Sequence, residues 1–434
     1  MIAALALLLS LQADPRIDSV ERLAGNVNRP LLWTPLKVTL TSPSGFKGDV
    51  VARSGFGFSV AREVTIPAGT QATVLLPALD PTEISAGKTT FKMPADLVRP
   101  DFIVLVDARL PYAAELASTE KVLVQKISFE DLDKTLARGL LEAADLILLK
   151  EPKAGGVVAP TRPDADKAMA ALTERPASLE AVDRAVWPLA PGEGWVPIKK
   201  KWTLFLATLY AFAAFVALAV VARRFPKFGL ACVAGVAGAG IAAYALFPRH
   251  QLWCVERGVE VVPLSGDAAE HRVWFLQAAS GVTTSIQFPR LVKPLFPSMA
   301  GTEDPFTIRV QDRGCAVVEL KVGPGRPACF GGVEYRPATM TATEKLSRPL
   351  KEAVLARGGR LKILGDLAAG ADVPRSVEEE GRAPRDAEFE AWKRFLGGDG
   401  LFGVQSGETK ATDVGSPELV EAEEKPRVFI QRFK

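Results

Sequence analysis

Alternating apolar and polar residues in the first quarter of the chain predict an antiparallel β domain. Residues 36–41 alternate with a period of two, which is typical of a half-buried strand, and the turn-forming Pro43 and Gly45 follow them. Similar short runs separated by Gly and Pro continue as far as Met93. We therefore predict a small β-sandwich over residues 14–95.

From Phe102 the pattern changes to continuous apolar strands that alternate with helices. Residues 102–106 and 146–149 are uninterrupted apolar runs, as expected of parallel strands covered on both faces. Between them, residues 110–118 can form a short helix, and Ser128 and Asp131 form the cap of a further predicted helix. These elements predict a small α/β domain over residues 96–187, with a Pro-containing linker over residues 188–201.

Two long uncharged segments, residues 202–222 and 228–247, follow the linker. They hold 21 and 20 residues, and as helices each is about 30 Å long, which matches the hydrocarbon core of a bilayer. The five residues between them are too few to cross a bilayer, so we predict a transmembrane hairpin that returns the chain to the same side. Small residues in the second segment predict close packing of the two helices: Ala231, Gly235, Gly238 and Ala239.

After the second segment the chain returns to short strand-like runs, which predict a β-rich domain over residues 248–434. The predicted fold class is thus a multidomain membrane protein. Its parts are an N-terminal β-sandwich, a small α/β layer, a two-helix transmembrane hairpin and a C-terminal β-rich domain.

The first 13 residues predict a signal peptide. Residues 2–11 are almost wholly apolar but too short to span a bilayer, and Ala13 suits a cleavage site. An uncleaved anchor or a buried strand is the alternative. With export, Arg223, Arg224 and Lys227 would face the cytoplasm, as the positive-inside rule prefers, although the lysines at 199–201 favour the opposite orientation. We predict an inner (cytoplasmic) membrane location, with both large domains on the periplasmic or extracellular side.

Charge and composition exclude some function classes. The 53 Lys and Arg residues nearly balance the 50 Asp and Glu residues, giving a net charge of +3, so the chain is not a general polyanion binder and we predict no nucleic-acid partner. The expected partners are the lipid bilayer and a protein of the cell envelope.

The cysteines and histidines offer little material for a metal or cofactor site, and we predict neither. Cys315 and Cys329 flank a Gly- and Pro-containing turn, so a hairpin there would place them opposite each other and allow a disulfide in an exported domain. Two buried thiols are the alternative. His271 follows Glu270 at the start of a predicted strand, where adjacent side chains point to opposite faces. We therefore expect an ordinary surface histidine there.

No catalytic residue is predicted. The Gly-x-Ser-x-Gly elbow of serine hydrolases is absent. Residues 85–90 imitate a phosphate-binding loop but lack its first Gly and the following helix. Asp107 and Asp145 lie at ends of buried strands, where α/β folds often place functional residues, yet acidic residues also simply mark strand ends.

The order of sandwich and α/β layer, together with residues 131–149 and 361–367, resembles a group of uncharacterised bacterial envelope proteins. In that group an immunoglobulin-like domain precedes a degenerate class I glutamine-amidotransferase-like domain and membrane helices. The amidotransferase reaction uses a Cys nucleophile and a His partner, and residues 1–231 contain neither residue type. The resemblance therefore implies a copy without that activity.

These patterns together predict a noncatalytic, membrane-anchored envelope protein whose two exported domains bind a protein or an envelope component. One alternative is an enzyme that uses carboxylates, which requires Asp107, Asp145 or Asp399 to converge in a cleft. Another is a regulatory or accessory subunit of a membrane transport complex.

Overall fold

The computed structural model describes the chain in part, as a series of separate ranges. The described residues are 14–27, 32–94, 100–137, 140, 144–153, 155–173, five positions between 214 and 224, 252–262, 268–278, 282–295, 305–311, 316–322, 328–336, 346, 349–357, 360–372, 400–405, 414–416, 419–424 and 428–432.

The first half of the described chain contains eleven strands and two helices. They are β1 (Arg16–Arg22), β2 (Thr34–Ser42), β3 (Phe46–Ser54), β4 (Ser59–Ile66), β5 (Thr70–Ala78), β6 (Pro81–Ala86), β7 (Thr89–Lys92), β8 (Phe102–Asp107), β9 (Val122–Ile127), α1 (Phe129–Leu136), β10 (Leu146–Leu149), β11 (Val157–Val158) and α2 (Arg162–Thr173).

The second half contributes twelve described strands. They are β12 (Leu252–Val262), β13 (Ala268–Ala278), β14 (Val282–Phe288), β15 (Lys293–Pro294), β16 (Thr307–Val310), β17 (Ala316–Val322), β18 (Ala328–Arg336), β19 (Leu350–Arg357), β20 (Arg360–Leu367), β21 (Gly400–Gln405), β22 (Leu419–Glu424) and β23 (Val428–Arg432).

The N-terminal strands form two facing layers around an apolar core. The antiparallel sheet β1-β2-β5 covers strands β3, β4, β6 and β7. In β2 the residues at even positions, Leu36, Val38 and Leu40, are fully buried, while the intervening Lys37 and Thr39 are only partly buried. This alternation places one face of β2 in the core and leaves the opposite face to contact another layer of the protein.

The sheet that contains β3 and β4 continues into the second half of the chain. Its strand order is β14-β17-β16-β4-β3-β6-β7, and β16 pairs with β4 in parallel. A nine-stranded sheet, which includes β12, β13 and β18, covers the β14–β17 end. One continuous core therefore joins Leu36 and Val60 to Trp274, Phe288 and Phe330.

A four-stranded parallel sheet of order β11-β10-β8-β9 lies on the outer face of the three-stranded sheet. Leu75 of β5 belongs to the same apolar cluster as Ile103 and Leu105 of β8. At the rim of this contact the Lys37 ammonium lies 2.7 Å from the Asp131 carboxylate at the start of α1. Helix α2 covers the opposite face of the parallel sheet.

The predicted fold class is wrong. The described chain consists mostly of strands, and its two helices have only 8 and 12 residues. None of the helices in the described part of the chain has the length and apolarity needed to cross a membrane. The physical reason is that the hairpin was inferred from the absence of charge alone, and an uncharged run fixes neither the length of a helix nor its surroundings; Phe215, in the first run, is 70% exposed. Residues 228–247 lie outside the described residues, as do all but three positions of residues 202–222.

Two local predictions in the parallel layer had different outcomes. The cap of α1 is confirmed, because the Ser128 hydroxyl accepts a hydrogen bond from the Asp131 backbone N–H. The short helix expected over residues 110–118 is absent, since turns occupy this stretch between β8 and β9. These turns are closed by main-chain bonds such as Ala113 N–H to Leu110 O at 3.0 Å.

Candidate functional site

The candidate site is the carboxyl edge, which we define as the ends of β8, β9 and β10 together with the residues that follow them, 107–112, 128–133 and 150–153. Strand β8 lies in the middle of the sheet, and the chain continues to β9 on one side before crossing to β10 on the other. Loops that leave neighbouring parallel strands in opposite directions open a crevice at the carboxyl ends, where ligands bind in open α/β sheets.

Asp107 ends β8 and is completely buried at this edge. Its carboxylate accepts hydrogen bonds from the Arg109 backbone N–H at 3.0 Å and from Arg109 Nη2 at 2.9 Å. Burial opposes ionisation, but the bonds and charge of Arg109 and the backbone of Lys150 outweigh it and hold the pKa of Asp107 below its usual value. Asp107 thus links the loop after β8 to the loop after β10.

The Arg109 side chain connects all three loops of the carboxyl edge. Its guanidinium carbon lies 3.5 Å from the centre of the Phe129 ring at the start of α1, a cation–π contact. Arg109 Nη1 also lies 3.4 Å from the Glu151 carboxylate. Lys153 Nζ is 5.9 Å from the centre of the same ring and forms an ion pair with Asp133. The edge therefore presents an aromatic ring with two cations near it, each of them paired with a carboxylate.

Asp145 lies at the opposite edge of the sheet from Asp107. Its carboxylate accepts a hydrogen bond from the Ile103 backbone N–H at 2.7 Å, at the start of β8. Ile103 and Asp107 are four residues apart in one strand, which separates the two carboxylates by about 13 Å along it. The structure therefore does not bring Asp107 and Asp145 together, and Asp399 lies outside the described residues.

The arrangement at the carboxyl edge suits binding better than acid–base chemistry. Asp107, Glu151 and Asp133 each form an ion pair within the edge, and Asp107 is completely buried, whereas a general acid or base must reach the proton that it exchanges with a substrate. The exposed parts of Arg109 and Glu151 remain available to a partner, since 35% and 62% of their side-chain surfaces are exposed.

A second group of charges lies buried on the inner face of the nine-stranded sheet. Arg272 Nη1 donates to Glu256 at 2.9 Å, and Arg272 Nε donates to Glu270 at 2.7 Å. Trp274 Nε1 donates to the other oxygen of Glu256 at 2.9 Å. These residues lie at alternating positions of β12 and β13, so the pleat of the sheet brings them to one face.

His271 points to the other face of β13 and is buried, so the expectation of a surface histidine is wrong. Burial, with the positive charges of Lys293 and Arg290, lowers the pKa of His271 to about 3. The imidazole is therefore neutral at physiological pH. Strand position alone gave its face correctly but could not reveal that this face is also covered.

The structure describes only one cysteine of the predicted disulfide and none of the predicted helix-packing residues. Cys329 is buried in β18, whereas Cys315 lies outside the described residues. The hairpin that suggested the pairing is not formed, because β17 and β18 belong to different sheets. The four predicted helix-packing residues also lie outside the described residues: Ala231, Gly235, Gly238 and Ala239. Cys254 is a buried free thiol of β12 whose pKa is raised by burial.

The sequence pattern points to Asp107 of the carboxyl edge, but not to Arg109, Phe129, Glu151 or Lys153. A usable signal was present, because charged residues follow both buried strands directly in the segments Asp107-x-Arg109 and Lys150-Glu151-x-Lys153. Among the described residues no group of three or more His, Cys, Asp or Glu side chains could hold a metal ion. Comparison with protein-family models, curated proteins and solved structures finds no match to this chain.

Proposed function

We propose that this chain is a noncatalytic binding protein of the cell envelope, and that the carboxyl edge of the parallel sheet is the surface that binds a partner protein. The observation that carries the proposal is the convergence of Arg109, Phe129 and Glu151 from three loops. Aromatic and arginine side chains are enriched where proteins bind one another.

The rigidity of the surroundings supports the same proposal. Asp107 fixes the loops after β8 and β10, and the Lys37–Asp131 ion pair fixes the start of α1 on the sandwich. A binding surface held in one conformation loses little entropy when a partner docks. The separation of Asp107 from Asp145 argues against the alternative of an enzyme in which these carboxylates act together.

The proposal of export to the envelope rests on the apolar N-terminal segment, and the contacts of Asp14 and Pro15 are consistent with cleavage before them. The Asp14 carboxylate accepts a hydrogen bond from the Lys88 backbone N–H at 3.2 Å, and the Thr89 hydroxyl donates to Pro15 O at 2.7 Å. Cleavage after Ala13 would leave both contacts intact. Residues 1–13 themselves lie outside the described residues.

Site-specific photo-cross-linking in the native cells tests the proposed binding surface. A photoreactive residue at position 151, where the Glu side chain is 62% exposed, is expected to give one discrete adduct. The same residue at position 47 on the sandwich, where the Lys side chain is 72% exposed, serves as the control and is expected to give none.

A pair of variants tests whether the adduct depends on binding at the carboxyl edge rather than on chance encounters with nearby proteins. Arg109→Ala removes the cation over Phe129 and is expected to abolish the adduct from position 151. Arg162→Ala, on the exposed side of α2, is the matched control and should leave the adduct unchanged. Equal adducts from positions 151 and 47, or an adduct that survives Arg109→Ala, would refute the proposal.

A further inference from the structure

The edge of β4 holds a strand that comes from the distant second half of the chain. Ser59, Val60 and Ala61 of β4 pair with Thr307, Ile308 and Arg309 of β16 in parallel. The Ser59 backbone N–H donates to Phe306 O at 2.9 Å. This is a β-augmentation within one chain, in which main-chain hydrogen bonds attach a strand to an open sheet edge.

Apolar contacts seal this junction on the core side. The rings of Phe58 and Phe306 stack with their centres 5.3 Å apart, and Phe306 also contacts Phe330 edge-on at 5.9 Å. Val60 and Ile308 are buried to at least 99%. Aromatic pairs of this geometry stabilise beyond the area they bury, so separating the halves would expose a large apolar surface.

An ion pair seals the junction on the outer side. Arg309 Nη1 contacts Asp49 of β3, while Arg309 Nε lies 3.1 Å from Glu319 of β17. The hydrogen bond to Asp49, followed by the charges of Asp49 and Glu319, raises the pKa of Arg309. One guanidinium on β16 therefore reaches over β4 to β3 on one side and to β17 on the other, and holds a carboxylate from each half of the chain.

We propose that the edge of β4 is a specific acceptor site for the β16–β17 strand pair of the same chain, and that this contact holds the two halves together without help from the chain that connects them. The halves, residues 14–173 and 252–434, then behave as two partners of one complex. Any binding surface on either half keeps a fixed position relative to the other.

Cleavage of the connecting chain tests this proposal on the intact protein. A protease site inserted between residues 190 and 191 allows the purified full chain to be cut after folding. We expect the two fragments to co-elute in size-exclusion chromatography at the mass of the uncut chain. Elution as two separate fragments under native conditions would overturn the proposal. Co-elution at twice that mass would also overturn it, because it would mean that β4 accepts the strand pair of a second copy.

A matched pair of variants locates the contact. Asp49→Arg turns the attraction across the junction into repulsion, and we expect the fragments to dissociate roughly tenfold more readily, since one partly exposed ion pair is lost and a repulsion of similar size replaces it. Glu319→Arg makes the same charge change beside Arg309 but within one fragment, and is expected to leave the dissociation within about twofold of the parent. An effect of Asp49→Arg that is no larger than that of Glu319→Arg would contradict the assignment.

Discussion

Replacing Arg272 with Met tests whether the buried charges of the nine-stranded sheet depend on one cation. Arg272 is the donor to both Glu256 and Glu270, whose side chains are 1% and 2% exposed. Methionine keeps much of the aliphatic length but removes the positive charge and both donors. The variant would leave two carboxylates in the core, with Trp274 Nε1 still donating to Glu256 and with the positive charge of Arg290 acting on both.

The expected cost follows from burial. Removing one member of a buried ion pair costs about 3 to 5 kcal/mol, because the remaining charge is left uncompensated away from water. An exposed ion pair contributes about 0 to 1 kcal/mol. We therefore expect Arg272→Met to lower the free energy of unfolding by about 3 to 5 kcal/mol, which is a large fraction of the stability of a typical domain.

Urea unfolding followed by tryptophan fluorescence measures this difference, with the midpoint and slope compared between variants. Arg162→Met is the matched control, since Arg162 is 40% exposed in its i,i+4 pair with Asp166 and should lose less than about 1 kcal/mol. Arg272→Lys keeps the charge without the fork of donors and should fall between the two. A loss below about 1 kcal/mol for Arg272→Met would refute the reasoning, because it would mean that other groups compensate the two carboxylates in the variant.

The remaining predictions concern three other contacts. Burial raises the pKa of Asp131, but hydrogen bonds from Lys37 and Ser128 outweigh it and hold that pKa below 3.8. The stability gained from the Lys37–Asp131 pair is therefore present above pH 3.8 and lost as the pH falls further. We expect the free energies of unfolding of the parent and of Lys37→Ala to differ by about 0.5 to 1 kcal/mol at pH 7 and to converge in acid. Gly332→Ala would place a methyl group 2.9 Å from Leu291 O, and we expect denaturant titration to show a loss of about 1 to 3 kcal/mol. Asp107→Asn should cost about 2 kcal/mol in the same assay, because a charged acceptor of several hydrogen bonds is lost.

Local sequence patterns predicted elements whose environment is set by near neighbours. Residues 36–41 lie within β2, and the apolar runs at 102–106 and 146–149 lie in β8 and β10 at the centre of the parallel sheet. The period-two pattern works for β2 because a single face enters the core. The continuous pattern works for β8 because apolar layers cover both of its faces.

Elements whose environment depends on distant residues escaped prediction. Asp49 and Arg309 are 260 positions apart, and no local pattern states which strands will pair. Strand β1 has a single buried residue and therefore lacks an apolar rhythm. Glu256 and Arg272 were missed for a related reason, because a charge in a strand suggests solvent until the complementary charge on the neighbouring strand is known. The transmembrane fold class failed in the same way, since hydropathy does not state what covers an apolar run.

The position of the carboxyl edge is itself a product of long-range packing. Phe129, which lies under Arg109, is the first residue of α1, and Asp131, two residues later, is paired with Lys37 of the sandwich. The first turn of α1 is thus held from one side by the loop after β8 and from the other by β2. Since β2 faces β3 and β4 across the core, and β4 holds β16, the second half of the chain supports the same framework. The carboxyl edge is therefore linked to the junction at β4 through β2 and the core that β2 shares with β3 and β4.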